Sequence, residues 1–222
     1  MSPQVYALLV NATVETLYMV GLAALLGTLL GLPLGVLLAT TGRGELLQNV
    51  AFNRIAGVVV NATRSTPFII LVVAIIPFTR LVAGTSIGTS AAIVPLTVAA
   101  IPFIARLIEG AIREVDRGLI EAAEAMGATP LQIIAKFLLP EALPGIVLGL
   151  TLAVVSLIGY SAMVGAVGGG GLGDLGIRYG YQRFLPEVMA AVVLVLIVLV
   201  QIVQSLGDRL ARKLNKRAIG TR

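Results

Sequence analysis

Cysteine, histidine and tryptophan are all missing from this chain of 222 residues. Without thiols there is no disulfide and no thiolate nucleophile. Without imidazole there is no histidine base, and nearly every zinc or haem site is excluded with it. Charge is scarce as well, at 12% of residues against about 25% in an ordinary soluble domain. Hydrolytic or redox chemistry would have to rest on the 11 acidic residues alone, few of which fall inside apolar segments. Aromatics are few, at 5%.

What the chain does have is aliphatic surface. Hydrophobic residues make up 58%, more than the roughly 45–50% of a soluble domain, and a compact core of this length cannot bury them. The bilayer must act as part of the solvent. Leu, Val, Ile and Ala carry the load, with 25 Gly interleaved. Small residues let membrane helices approach closely, since lipid supplies no hydrophobic drive for helix association. The composition predicts an all-α membrane protein, a packed bundle rather than isolated anchors. With no internal repeat and no low-complexity linker, residues 1–222 read as a single membrane domain.

A span takes about 20 mainly apolar residues to cross roughly 30 Å of hydrocarbon. Five stretches qualify, at about 14–40, 55–78, 87–107, 143–164 and 188–206. No Lys or Arg precedes the first, and its apolar run is longer than a cleaved signal peptide would carry, so it is expected to stay as a span. The net charge of +5 does not point to nucleic acid, because the basic residues flank apolar segments and read as topology signals. The tail after the fifth span carries Arg209, Arg212, Lys213, Lys216, Arg217 and Arg222. With that tail in the cytoplasm, the loops at 41–54 (Arg43, Arg54) and 108–142 (Arg113, Arg117, Lys136) fall on the same side. Only Arg80, Arg178 and Arg183 face the other way, which predicts an external N-terminus and a cytoplasmic C-terminus. Arg64 and Arg106 fall near the cytoplasmic ends of their spans, within snorkelling reach.

The loop between the third and fourth spans is the most informative segment. Its first part, about 119–126, is rich in Ala, Glu and Leu and stops at Gly127, a natural residue beyond a helix end. Thr129 then reads as an N-cap, Pro130 as a first-turn residue and Gln132 as the capping-box partner. This predicts a helical hairpin over about 117–141 on the cytoplasmic face, its second helix ending before Pro140. Glu121 and Glu124 share a helix edge, while Ala122, Ala123 and Ala125 keep the helix slim. Such a helix fits a groove on a partner, or lies as an amphipathic connector on lipid headgroups.

Glu121-Ala122-Ala123, Gly127 and Leu139-Pro140 resemble the EAA loop of ABC importer permeases. In that family the loop forms coupling helices seated in a cleft of the ATP-binding subunit. Where the family often has Ile two residues before the Leu, this chain has Phe137, a conservative departure. The segments NATRSTPF (61–68), PFIAR (102–106) and the glycine-rich run 159–182 extend the likeness to the D/L-methionine uptake permeases of bacteria. The resemblance implies a bacterial inner-membrane protein acting as a homodimer, two ATPase subunits that bind ATP and Mg, and an external substrate-binding protein. It also implies methionine as the substrate, which nothing in composition or periodicity indicates. No cofactor is expected in this chain.

Alternating access needs a polar or soft stretch at membrane depth that faces protein rather than lipid. One is Asn61, Thr63, Arg64, Ser65, Thr66 and Pro67, either a proline kink lining a pathway or a helix entering from the cytoplasmic interface with Arg64 snorkelling. The other runs through Tyr160, Ser161 and Met163 into glycines 168–171, where a helix cannot stay regular. Tyr160 and Met163 could gate a pathway or simply pack. Beyond the glycines, Asp174, Arg178, Tyr179, Tyr181, Gln182 and Arg183 form either a docking face or an interfacial loop. The glycines lack the Lys-Ser/Thr of a phosphate-binding loop, so the energy must come from another chain or an ion gradient.

The sequence therefore points to the permease subunit of an ATP-driven methionine importer, not itself an enzyme. Its coupling residues would be Glu121, Ala122, Ala123, Glu124, Gly127 and Pro140, and its pathway residues Asn61, Ser65, Pro67, Tyr160, Ser161 and Met163. The alternatives are a permease for another amino acid or small polar solute, a transporter driven by an ion gradient, or a non-transporting scaffold. An ion-driven carrier would want an acid at mid-span, and the candidates Glu15 and Glu109 fall towards opposite ends of their spans.

Overall fold

The structure is a computed structural model that describes residues 3–215. Lys216, Arg217 and Arg222 of the basic tail lie outside the described residues. Among the described residues the chain is helix and connecting loop, with no strand.

Four helices are long and apolar enough to cross a membrane. They are α1 (Pro3–Thr40), α5 (Thr89–Arg113), the continuous helix Pro130–Ala166 and α10 (Pro186–Leu214). The stretch read as a single span over 55–78 is broken instead. Helix α2 (Val50–Ser65) and α3 (Phe68–Ala74) meet at 102°. The cause is local: Thr66, ahead of proline, is extended at φ −80° and ψ 125°, and Pro67 offers no N–H to continue the ladder. A second break at Ile75 starts α4 (Ile76–Ala83), with Pro77 in its first turn.

The glycines of α1 set its packing. A Cβ on Gly27 would stand 2.6 Å from the Ala100 Cβ, and one on Gly35 would stand 2.6 Å from the Ala105 carbonyl oxygen. With Gly31 between them at four-residue spacing, this is a small-residue stripe along which α1 lies almost backbone to backbone on α5. Met19, Leu96, Ile104, Ile108 and Leu157 are sealed in the core that α1 and α5 share with α8 (Leu139–Ala166). The outer face of α10 is the opposite case, with Leu194, Ile197 and Ile202 all open. A row of exposed aliphatic side chains on a helix of span length is the surface expected against lipid.

At the hairpin the structure departs from the sequence reading. The helix begun as α7 (Pro130–Ile133) does not stop before Pro140 but runs without a break to Ala166, 37 residues in all. A π turn at Ile134–Leu138 makes this possible. Leu139 N–H bonds the carbonyl five residues back, at Ile134. Proline is excluded from a helix interior because its ring strikes the carbonyl four residues earlier. A turn widened just ahead of Pro140 opens that space.

Candidate functional site

The first half of the hairpin is α6 (Arg117–Ala125), capped by the Asp116 carboxylate on the Gly118 N–H at 2.7 Å. Its end is closed by two bonds, from Ala128 N–H to the Ala123 carbonyl and from Gly127 N–H to the Glu124 carbonyl. That is the Schellman pattern, and it needs a left-handed residue, which Gly127 supplies at φ 78°. Thr129 N–H donates to Gln132 Oε1 at 2.9 Å, which pins the start of the second half.

One face of this hairpin is welded to the core. Ala123 and Ile133 are fully buried, with Ile134 and Leu138 beside them. The other face is open: Glu121, Ala122, Glu124 and Gly127 are exposed, as is Pro140. Two residues that carry no signal in the sequence stand on this face, Met126 and Leu131, each 71% exposed. Both are exposed apolar side chains on a hairpin that otherwise presents mainly polar groups. Of the six residues expected from the sequence to couple to a partner, Ala123 differs from the rest, since it is buried and holds the hairpin down rather than facing outward.

Above the hairpin, α5 carries a charged cluster. Glu109 is buried and accepts from Arg106 Nη1 at 2.5 Å, while Arg113 pairs with its other oxygen at 2.7 Å. Arg106 also donates through Nη2 to the Gly57 carbonyl at 3.2 Å and to Asn61 Oδ1 at 3.0 Å. Arg106 therefore does not snorkel towards the interface but ties α5 to α2, and Asn61 is held by it. The three charges stand at helical spacings of three and four, and that spacing is the one signal in the sequence that could have found the cluster.

At the α2–α3 break, Ser65 and Pro67 are exposed and Phe68 turns inward. Phe68 stacks on Tyr160 of α8, with ring centroids 4.4 Å apart and planes 11° from parallel. The Arg64 guanidinium stands 5.9 Å from the centre of the Phe103 ring. Between these rings lies a cavity of about 160 Å³, with the polar groups of Thr63 and Thr66 on its wall. Met163 is open on the same helix as Tyr160. Ser161 is buried, and its hydroxyl donates to the Ile158 carbonyl at 2.7 Å, so it is occupied inside the bundle.

The glycine run is wrapped onto α1. Gly168, Gly170 and Gly171 all have positive φ. Gly171 N–H donates to Glu15 Oε2 at 2.7 Å and Leu172 N–H donates to Thr16 Oγ1 at 2.9 Å. Glu15 is thus engaged with backbone. The short helix α9 (Gly171–Leu175) leads into a π turn at Gly176–Tyr181. Arg178 pairs with Asp174 there, and Arg183 lies over the Tyr179 ring at 4.4 Å. Tyr181 is exposed, as are Gln182 and Arg183.

A family model described as the inner membrane component of binding-protein-dependent transport systems matches residues 31–217. The chain belongs to that family. It is a multi-pass inner-membrane protein built of helices. A Vibrio cholerae relative, named "Probable D-methionine transport system permease protein MetI", is 60% identical across 95% of this chain and 93% of its own length. The D-methionine transport system permease protein MetI of Escherichia coli is 54% identical across 74% of this chain and 76% of its own length. Among solved structures, a chain of the MetNI methionine ABC transporter in inward-facing conformations is 51% identical. It superposes with a TM-score of 0.95, covering 97% of this chain and all of that one. An amino acid ABC transporter at 20% identity and a TM-score of 0.77 shares the family's fold.

Proposed function

We propose that this chain is the membrane-spanning subunit of an ATP-binding-cassette importer that carries methionine, in its D and L forms, into the cell. The observation that carries the reading is likeness at full length. Half or more of the residues agree with methionine permeases across nearly the whole chain, and the backbone superposes on a methionine transporter chain. The open hairpin face supports the same reading, because it supplies a seat for a partner on a chain with no nucleotide loop of its own.

In this reading the partner is a pair of ATPase subunits, which bind ATP and Mg. Two copies of this chain enclose the pathway, lipid surrounds them, and an external binding protein delivers the substrate; nucleic acid has no part. The N-terminus is external and the C-terminus cytoplasmic. Glu121, Ala122, Glu124 and Gly127 meet the ATPase, together with Met126 and Leu131. Pro140 is exposed with them, while Ala123, buried, keeps the hairpin joined to the spans. Closing of the ATPases on ATP draws the hairpins together. Because α6 follows α5 and the second half is continuous with α8, that motion passes into both spans. A switch of this kind requires contacts that differ between its states, and the hairpin is where they are made. Asn61, Ser65, Pro67, Tyr160 and Met163 line or gate the pathway, with Ser161 supporting them from inside.

The test is uptake of labelled methionine into proteoliposomes that hold this chain, its ATPase and its binding protein. ATP-dependent accumulation of methionine over other amino acids is expected. Equal transport of other amino acids would remove methionine and leave the importer. Uptake that survives ATP depletion and collapses with the ion gradient would remove the importer.

A further inference from the structure

The cavity at the α2–α3 break combines three kinds of surface that no core needs in one place. The first is a cation without a counter-ion. Among the described residues, the arginines that pair with carboxylates are Arg106 and Arg113 with Glu109, Arg117 with Glu45, and Arg178 with Asp174. Arg64 pairs with none, and a guanidinium is charged at any working pH. It faces the Phe103 ring, which attracts the charge without neutralising it. The second is a pair of acceptors. Thr63 and Thr66 commit their hydroxyl protons to the carbonyls of Val59 and Ala62, at 3.0 and 3.2 Å. Their oxygens keep lone pairs for a donor on the cavity side. The third is an apolar and aromatic wall, made by Phe68 stacked on Tyr160 with Phe103, Leu71 and Ala99 around them.

Donor, acceptor and apolar wall together are complementary to a zwitterion with a short apolar tail. We propose that this cavity is a binding station for a free α-amino acid with an unbranched apolar side chain. Arg64 takes the α-carboxylate, the oxygens of Thr63 and Thr66 take the ammonium, and the ring wall takes the tail. At about 160 Å³ the pocket is close to the roughly 150 Å³ of a cavity that holds the six heavy atoms of benzene, so it has room for the apolar tail, with the charged head at its mouth beside the exposed Arg64. It falls short of the roughly 300 Å³ at which drug-sized sites begin. A polarizable thioether gains further from the faces and edges of the rings. The station rests on the reading of this chain as a methionine permease and adds to it a place on the permease itself where the substrate is recognised by its charged head. Substrate choice is then made twice, once by the binding protein and once by this chain.

The test is equilibrium binding of labelled methionine to the purified permease–ATPase complex in detergent, with no binding protein present. Displacement is read with methionine and with methioninol, which has an alcohol in place of the carboxylate. In the wild type, methioninol is expected to compete at least about tenfold more weakly, the scale of a hydrogen-bonded ionic contact. Arg64→Gln is expected to lower binding of the label and to close the gap between the two competitors. Arg64→Lys, which keeps the charge but loses the planar fork, is expected to narrow the gap at least about twofold and decides the matter should the glutamine variant fail to assemble. A wild type without the gap, or variants that keep it in full, would overturn the station. A structural role for Arg64 would depress both competitors alike and overturns it too. Uptake by the wild-type complex separates the two claims: methionine transport with an unchanged gap in the variants refutes the station alone, whereas a wild type that neither transports nor binds methionine refutes both.

Discussion

Met126 and Leu131 allow the partner surface to be tested by magnitude. Each is 71% exposed in the single chain. Full burial of such a side chain stabilises by about 1.5–3 kcal/mol, so covering the exposed share on a partner contributes about 1–2 kcal/mol apiece. Truncation of both to Ala is then expected to weaken each hairpin's hold on the ATPase by about 2–4 kcal/mol, a factor of about 30 to 1,000 in affinity. The assay is retention of the ATPase on the immobilised permease across a dilution series, followed by ATP-dependent uptake. The variant's own melting temperature in detergent should not move, because neither side chain is part of the core. The inward face behaves oppositely. Ala123 is fully buried, and Ala123→Leu should lower the melting temperature as well as partner retention, since overpacking costs about 1–3 kcal/mol. If the double truncation holds the ATPase as tightly as the wild type, the open face is not the seat, and the coupling role of Glu121 and Glu124 falls with it.

Two other perturbations probe the bundle. Gly35→Ala would set a Cβ 2.6 Å from the Ala105 carbonyl oxygen and 2.8 Å from the Ile108 Cβ. Neither can yield without moving backbone, so α1 must shift off α5 at a cost of about 1–3 kcal/mol, read as a lowered melting temperature in detergent. Arg106→Leu strips the buried Glu109 of one of its two guanidinium partners and frees Asn61, with an expected loss of about 1–3 kcal/mol. Adding Glu109→Gln should recover part of it by removing the underpaired charge, which a double-mutant cycle on thermal unfolding measures.

The features legible in the sequence are those that depend on neighbours along the chain. Hydropathy marks out the long helices, because about 20 apolar residues at a stretch suit a bilayer and little else. Gly127, Thr129 and Gln132 announce the hairpin turn, because capping is decided within a few residues. What stays hidden depends on distant partners. Pro67 promises a kink, but a bend of 102° leaves Phe68 stacked on Tyr160, a residue on another helix far along the chain. Arg106 reads as a snorkelling cation because nothing local places Asn61 and the Gly57 carbonyl within its reach. Met126 and Leu131 give no signal because an isolated Met or Leu in a loop is ordinary, and only their exposure on an otherwise seated hairpin makes them notable.

Pro140 illustrates where a local rule fails and what replaces it. Proline normally ends a helix, and on that ground the sequence predicts a second hairpin helix that ends before Pro140, apart from a fourth span at about 143–164. A break there would act as a loose link and absorb a push from a partner. The π turn at Ile134–Leu138 removes the link: it opens the helix by one residue just ahead of the proline, and the backbone continues as one rod to Ala166. At about 1.5 Å per residue, 37 residues make a lever of about 55 Å. Its first turn carries the exposed Leu131, and Tyr160 and Met163 stand in its last two turns. In the proposed importer, motion of the hairpin is carried to Tyr160, which lines the cavity. Deleting Ala135 would restore ordinary winding ahead of Pro140 and bring back the clash with the preceding carbonyl. The rod should then break at the hairpin, leaving ATPase binding intact while uptake is lost. Uptake that survives the deletion would mean that the push does not travel along this helix.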